Sequence, residues 1–216
     1  MDKRTTRRWG VATSEAVRRL AMADTGFTQA ALAAALRVSQ PRVSQILAMC
    51  RSHGIDTNRL GSPDVRMALV DLYVARHQPQ VVSERYWYAL EPLTAQTEVV
   101  VSTARDASAH VVVSADVACD LTAAWRHPTI AVLYVDQELT MPPAFVEATG
   151  SQDASVIVRH TRDVSLTECW KLNRYPLAHP VQQVWDLHDL GGVDRIEAAQ
   201  RIVERVVLAE DCRLPA

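Results

Sequence analysis

The sequence is poor in cysteine, and the four it has are far apart. Cys50, Cys119, Cys169 and Cys212 form no CxxC pair. That spacing argues against a disulfide framework and points to reduced thiols in a cytoplasmic protein. No run of 18 apolar residues occurs, so no membrane-spanning helix is expected. The N-terminal MDKRTTRRWGVATSEAVRR has charges but no apolar stretch and does not read as a signal peptide. The histidines (His53, His77, His110, His127, His160, His179, His188) never fall four apart and share no cluster with cysteine. Zinc therefore finds no ligand set. The phosphate-cradling GxxxxGK[ST] and GxGxxG loops are missing, as is a GxSxG elbow. No catalytic residue, metal or cofactor is expected, and the chain does not read as an enzyme.

What is present is a globular composition, 48% hydrophobic and 22% charged, in 216 residues. That is enough for two small cores. The net charge of −2 hides an asymmetry. Residues 1–60 hold ten lysines and arginines against four acids, a balance of +6, and residues 61–216 hold 13 against 21, a balance of −8. A basic head on an acidic body suggests that only the head meets a polyanion.

Residues 1–8 read as a basic arm. A helix over 13–23 is expected, with Ser14 as cap and Val17, Leu20 and Ala21 inward. Thr28 caps a second helix over 29–36, a turn follows at Arg37-Val38-Ser39, and a third helix runs from Gln40 to Arg51. Residues 55–63 (IDTNRLGSP) are a linker candidate. Beyond it come helices over 64–77 and after Pro92, strands at 111–113, 130–135 and 154–160, and a helix over 115–124 capped by Ser114. Two closing helices, 180–190 and 194–209, are split by Gly191-Gly192.

The strongest motif is TQAALAAALRVSQPRVSQIL, residues 28–47. Ala33 is small where two helices must touch. Leu32, Leu36, Val38, Val43 and Ile46 fall at the spacing that buries one face of each. Ser39 can cap the second helix, and Pro41 in its first turn gives up an N–H that lacks a partner anyway. Gln40, Pro41, Arg42, Ser44 and Gln45 are then turned outward. Glutamine can pair bidentately with adenine and arginine with guanine in the major groove. Ser39, Gln40, Arg42, Ser44 and Gln45 are the candidates for base contacts. Arg4, Arg7, Arg8, Arg18, Arg19, Arg37 and Arg51 are the candidates for phosphate contacts. The expected partner is double-stranded DNA, as inverted repeats bound by a homodimer or as half-sites bound by monomers.

This stretch resembles the helix-turn-helix family of bacterial regulators. Arg37 stands where that family often has glycine, and an arginine at positive φ costs about 1 kcal/mol. RYWYALEP (85–92), VVVSADVACDLTAAWRHPTIAVLYV (111–135) and AHPVQQVWDLHDLGGVDRIEAAQRIVE (178–204) resemble actinobacterial proteins related to the AbiEi-type antitoxins of type IV toxin–antitoxin systems. The resemblance implies a winged helix followed by an α/β domain, and an autorepressor whose second domain meets a nucleotidyltransferase-type toxin. The fold class expected is α+β. A helical, winged-helix-like helix-turn-helix domain over 1–60 precedes a mixed α/β domain over 61–216 with a small sheet and C-terminal helices. Residues 54–63 show no wing-like alternation.

Asp116 and Asp120, four apart on a helix, could form a metal-binding pair. Solvated helix residues are the preferred reading, and the same holds for Asp186 and Asp189. Tyr86, Trp87 and Tyr88, with Trp125 and Arg126, are candidates for a partner or ligand surface, against a preferred reading as packing between domains. Two further classes stay open: a one-component regulator whose second domain binds a small effector, and a nucleotidyltransferase-related enzyme with a DNA-binding appendage. The latter lacks the paired-carboxylate strand that such a fold requires.

Overall fold

The computed structural model describes residues 9–24, 26–124, 127–172 and 175–209. The chain divides into two compact units, Met1–Gln78 and Pro79–Ala216. It is a mixed α and β protein, and its strands lie in the second unit.

The first unit consists of four helices: α1 (Val11–Ala21), α2 (Gln29–Ala35), α3 (Gln40–Ser52) and α4 (Pro63–Arg76). Helix α1 starts earlier than expected. The Gly10 carbonyl accepts from the Thr13 and Ser14 N–H groups at 2.9 and 3.2 Å, so Ser14 is buried inside the helix and is not its cap. Helix α2 starts as expected, with Thr28 Oγ1 accepting from the Ala31 N–H at 3.1 Å. Residues 55–63 are not a linker. Ile55 is buried, Asp56 Oδ1 accepts from the Asn58 N–H at 3.0 Å, and the segment turns the chain straight into α4. Helix α4 packs on α1, and the buried Arg66 donates to the Ala23 carbonyl just beyond the end of α1 at 3.1 Å. The boundary expected after residue 60 therefore lies after Gln78. No strand occurs among the described residues of this unit, so the winged-helix expectation is not met there.

The second unit is built on one mixed sheet. Its strands are β1 (Val81–Tyr88), β2 (Val111–Ser114), β3 (Ala131–Val135), β4 (Val146–Glu147), β5 (Val156–Thr161), β6 (Trp170–Leu172) and β7 (Tyr175–Leu177), in the order β4-β1-β5-β3-β2-β7-β6. β5 runs parallel to β3, and β7 parallel to β2; the other pairs are antiparallel. β2 and β3 are buried along their whole length, which is why they are continuous apolar runs. Helix α5 (Leu93–Asp106) supplies Val100, Val101 and Ala104 to a core with Val113, Leu133 and Val158. Val112, Val132, Tyr134 and Ile157 point to the opposite face. There α7 (Pro180–Leu190) packs with α6 (Ala115–Ala123) and α8 (Val193–Ile202), which runs on into a π-helical turn at Val203–Val207.

A buried guanidinium fixes α7 to the sheet. Arg159 on β5 is 5% exposed and meets three carboxylates: Asp186 at 2.7 Å, Asp189 at 2.7 Å and Glu84 at 2.5 Å. Asp186 is fully buried, and it also accepts from Ser114 Oγ at 2.6 Å and from the Tyr134 hydroxyl at 2.7 Å. Gln182 donates to the Tyr134 oxygen at 2.9 Å. Burial and the adjacent Asp186 hold the Tyr134 hydroxyl protonated well above the usual tyrosine range. Asp186 is therefore not a solvated helix residue, whereas Asp189 is exposed and meets Arg159 from the solvent side. Ser114 spends its hydroxyl on Asp186 and makes no side-chain cap to α6.

A second, partly buried ion pair ties α6 to α8. Arg195 grips Asp116 bidentately at 2.8 and 3.1 Å, and the Thr129 N–H and hydroxyl donate to the same carboxylate at 3.1 and 2.9 Å. Burial pushes the Asp116 pKa up, but Arg195 and Thr129 outweigh it, and the carboxyl lies below the ordinary range. Asp116 is thus an ion-pair member, whereas Asp120 is exposed.

Arg159→Met should destabilise the protein by about 3–5 kcal/mol in urea unfolding, because it strands buried Asp186 without its counter-ion. A loss under 1 kcal/mol would show that the network is not integral to the fold. For Asp116 the folded pKa is depressed, so its stabilisation is present at neutral pH and is lost as pH falls through the folded value. Asp116→Asn should cost about 2 kcal/mol at pH 7. The gap to wild type should close below about pH 4. A gap that is constant with pH would rule out the charged pair as its source.

Candidate nucleic-acid interface

Helices α2 and α3 are joined by a tight turn at residues 36–39. The Val38 N–H donates to the Ala33 carbonyl at 3.0 Å, and the Arg37 N–H to the Ala34 carbonyl at 3.1 Å. Arg37 takes φ +53, the left-handed region, where a β-carbon is unfavourable. It is exposed, so the turn keeps the strain without burying the side chain. Leu32, Ala33 and Leu36 of the first helix and Val43, Ile46, Leu47 and Cys50 of the second are buried. Burial pushes the Cys50 thiol up to about 11, so it behaves as a small apolar residue.

The complementary face of α3 is exposed: Ser39, Gln40, Pro41, Arg42, Ser44 and Gln45. Ser39 stands at the N-cap, with its carbonyl accepting from the Arg42 and Val43 N–H groups at 3.0 and 3.2 Å. Its hydroxyl makes no cap bond, contrary to expectation. Ser44 Oγ donates to Gln29 Oε1 on α2 at 2.9 Å. Arg42 donates to Gln45 Oε1 at 3.2 Å and to Thr13 Oγ1 on α1 at 3.0 Å.

The expected phosphate contacts divide. Arg37 and Arg51 are exposed; Arg51 donates to Thr57 Oγ1 at 2.9 Å. Arg19 is half-buried and paired with Glu15 at 2.9 Å. Arg18 is only 3% exposed, inside α1's packed face between Ser14 and Ala21, and cannot reach a phosphate. Arg4, Arg7 and Arg8 lie outside the described residues. Moving the boundary to Gln78 adds two arginines and two aspartates, so the first unit keeps its +6 balance.

The aromatic run of the second unit does not form a cluster. Tyr86, Trp87 and Tyr88 are successive residues of β1 and alternate between faces. Trp87 is buried in the α5-side core under the Arg85 guanidinium, 4.8 Å away, while Tyr88 is exposed on the opposite face. The cavity beside Trp87 has only about 10 Å³, room for one water and not for an effector. Trp125 and Arg126 lie outside the described residues. Among the described residues no group of three or more histidine, cysteine or acidic side chains is placed to hold a metal. No described helix is long and apolar enough to cross a membrane.

Two residues that hold side chains of this exposed face escape a reading of the sequence. Gln29 has a faint signal, as the residue after the α2 cap. Thr13 has none, because it meets Arg42 across 29 positions. The chain matches no known protein family, no curated protein and no solved structure. The fold and this face define a two-unit α and β protein whose first unit exposes a polar, cationic helix face after a tight turn.

Arg37→Gly should stabilise the protein by about 0.5–1 kcal/mol in urea unfolding, since glycine adopts positive φ without a steric cost. A neutral or negative effect would show that the arginine side chain compensates the turn.

Proposed function

We propose that this protein is a sequence-specific DNA-binding transcriptional regulator that reads the major groove with α3. One observation carries the reading. The exposed residues of the first half of α3 are all polar except Pro41, while its other face is sealed into the core of a unit with a +6 balance. Polar residues on an exposed helix face are also what solvation requires; what favours DNA is that Gln40, Ser44 and Gln45 lie in the N-terminal half, where recognition helices meet base edges, on a unit of positive balance. Arg37 and Arg51 flank that face and supply salt-dependent affinity. The resemblance of 85–92, 111–135 and 178–204 to the antitoxin family extends the proposal. On that basis the protein is an autorepressor, and its acidic second unit engages a nucleotidyltransferase-type toxin.

The test is selection of bound sequences from random duplex DNA with the full chain. A single enriched motif is expected. Gln40→Ala should cost about 1–3 kcal/mol of discrimination at one position of that motif, the price of a lost bidentate contact. Failure of the full chain to enrich any sequence sinks the reading.

A further inference from the structure

A groove of about 500 Å³ opens beside the recognition face, lined by Trp9, Gly10, Thr13, Arg42, Gln45 and Met49. Arg42 was expected to read a base. Its side chain instead lies along this groove, one terminal nitrogen on Thr13 Oγ1 at 3.0 Å and the other on Gln45 Oε1 at 3.2 Å. Thr13 is 7% exposed and belongs to the body of α1, so it is a fixed post and not a mobile surface group. To extend to the floor of a major groove this guanidinium would have to give up both bonds, about 1 kcal/mol each, whereas a phosphate at the rim could be met with the bonds kept. Two of its five N–H groups are used by the tethers, which leaves three for an anion. Gly10 adds no side chain to the groove wall, and a β-carbon placed there would meet nothing within 4 Å. Trp9 can contribute an indole N–H donor to the same space.

We infer that Arg42 is a backbone contact that seats a DNA phosphodiester in this groove, and that Thr13 is the positioning residue holding it there. This rests on the DNA-binding reading and sharpens it, because it takes Arg42 out of the base-reading set and leaves Gln40 as the leading reader. Recognition then has two parts. A rigid cation fixes where the helix lies on the backbone, and uncharged side chains sample the bases from that fixed register.

The experiment combines sequence selection with salt titration of affinity, using the full chain and its Arg42→Gln, Thr13→Val and Thr13→Ser variants. Arg42→Gln should weaken binding to selected and random duplexes by the same factor, about tenfold. The slope of log K against log salt should become shallower by about 0.9, one phosphate contact. The selected motif should stay the same. Thr13→Val should weaken both kinds of duplex about threefold, and Thr13→Ser, which keeps the hydroxyl, should restore wild-type affinity. Loss of one base from the motif at an unchanged salt slope in Arg42→Gln would overturn the inference while leaving DNA binding intact. Wild-type behaviour of Thr13→Val would remove Thr13 as the positioning residue. If the wild-type chain binds no duplex at all, the DNA-binding reading itself falls, and the inference with it.

Discussion

The second unit depends on a single buried cation. Arg159 is placed on β5 and gathers carboxylates from β1 and α7, while Asp186 collects further donors from β2 and β3. One helix is thereby held to four strands through polar contacts at defined atoms. Apolar packing alone would let α7 slide along the sheet, because burial has no direction. The charged network adds that direction. It is costly to desolvate, so replacing the whole network by apolar side chains need not lower stability, whereas removing one partner does. Tyr134 and Gln182 complete the shell around Asp186 and leave no buried oxygen of that carboxylate without a donor.

How much of this was legible in the sequence follows from the range of the interactions. The stretch from Thr28 to Leu47 is local: cap, turn and inward positions lie within a few residues of one another, and the structure follows them except at Val38, which is only half-buried, and Ser39, whose hydroxyl makes no cap bond. The central strands were legible because β2 and β3 are buried on both faces and had to be apolar throughout. β1 was not legible. It carries Ser83, Glu84 and Arg85 in mid-strand, and a register shift between Val81 and Ser83 breaks its alternation. Glu84 is there because Arg159 needs it, 75 positions away. The same distance effect misassigned Asp116, whose partner Arg195 lies 79 positions on. Carboxylates four apart on a helix look solvated until the other element is known.

Three non-glycine residues, Arg37, Ser108 and Ala115, accept the left-handed region at junctions, and the first and last do so in opposite surroundings. Arg37, at φ +53, turns the chain between α2 and α3 in solvent. Ala115, at φ +58, is fully buried and turns β2 into α6. There the sharp turn brings Ser114 to Asp186 on one side and starts α6 so that Asp116 reaches Arg195 on the other. The strain at Ala115 is therefore accompanied by two side-chain polar networks, while at Arg37 it is met by the two backbone bonds that close the turn, from the Val38 and Arg37 N–H groups to the Ala33 and Ala34 carbonyls.

Charge counts overstate the cationic surface of the first unit. Arg18 and Arg66 are buried in the helix packing, Arg19 is paired with Glu15, and Arg59 is paired with Asp64. Among the described residues, Arg37, Arg42 and Arg51 are the exposed arginines of the turn and α3. On the DNA-binding proposal, each neutralised phosphate would contribute about −0.9 to the slope of affinity against salt, so these residues would account for a slope of about −3 at most. A steeper measured slope would require further cations: Lys3, Arg4, Arg7 and Arg8 at the N-terminus, or a second copy of the chain on an adjacent half-site. The two sources differ in their dependence on protein concentration, since an arm adds contacts within one chain and a second copy makes binding cooperative.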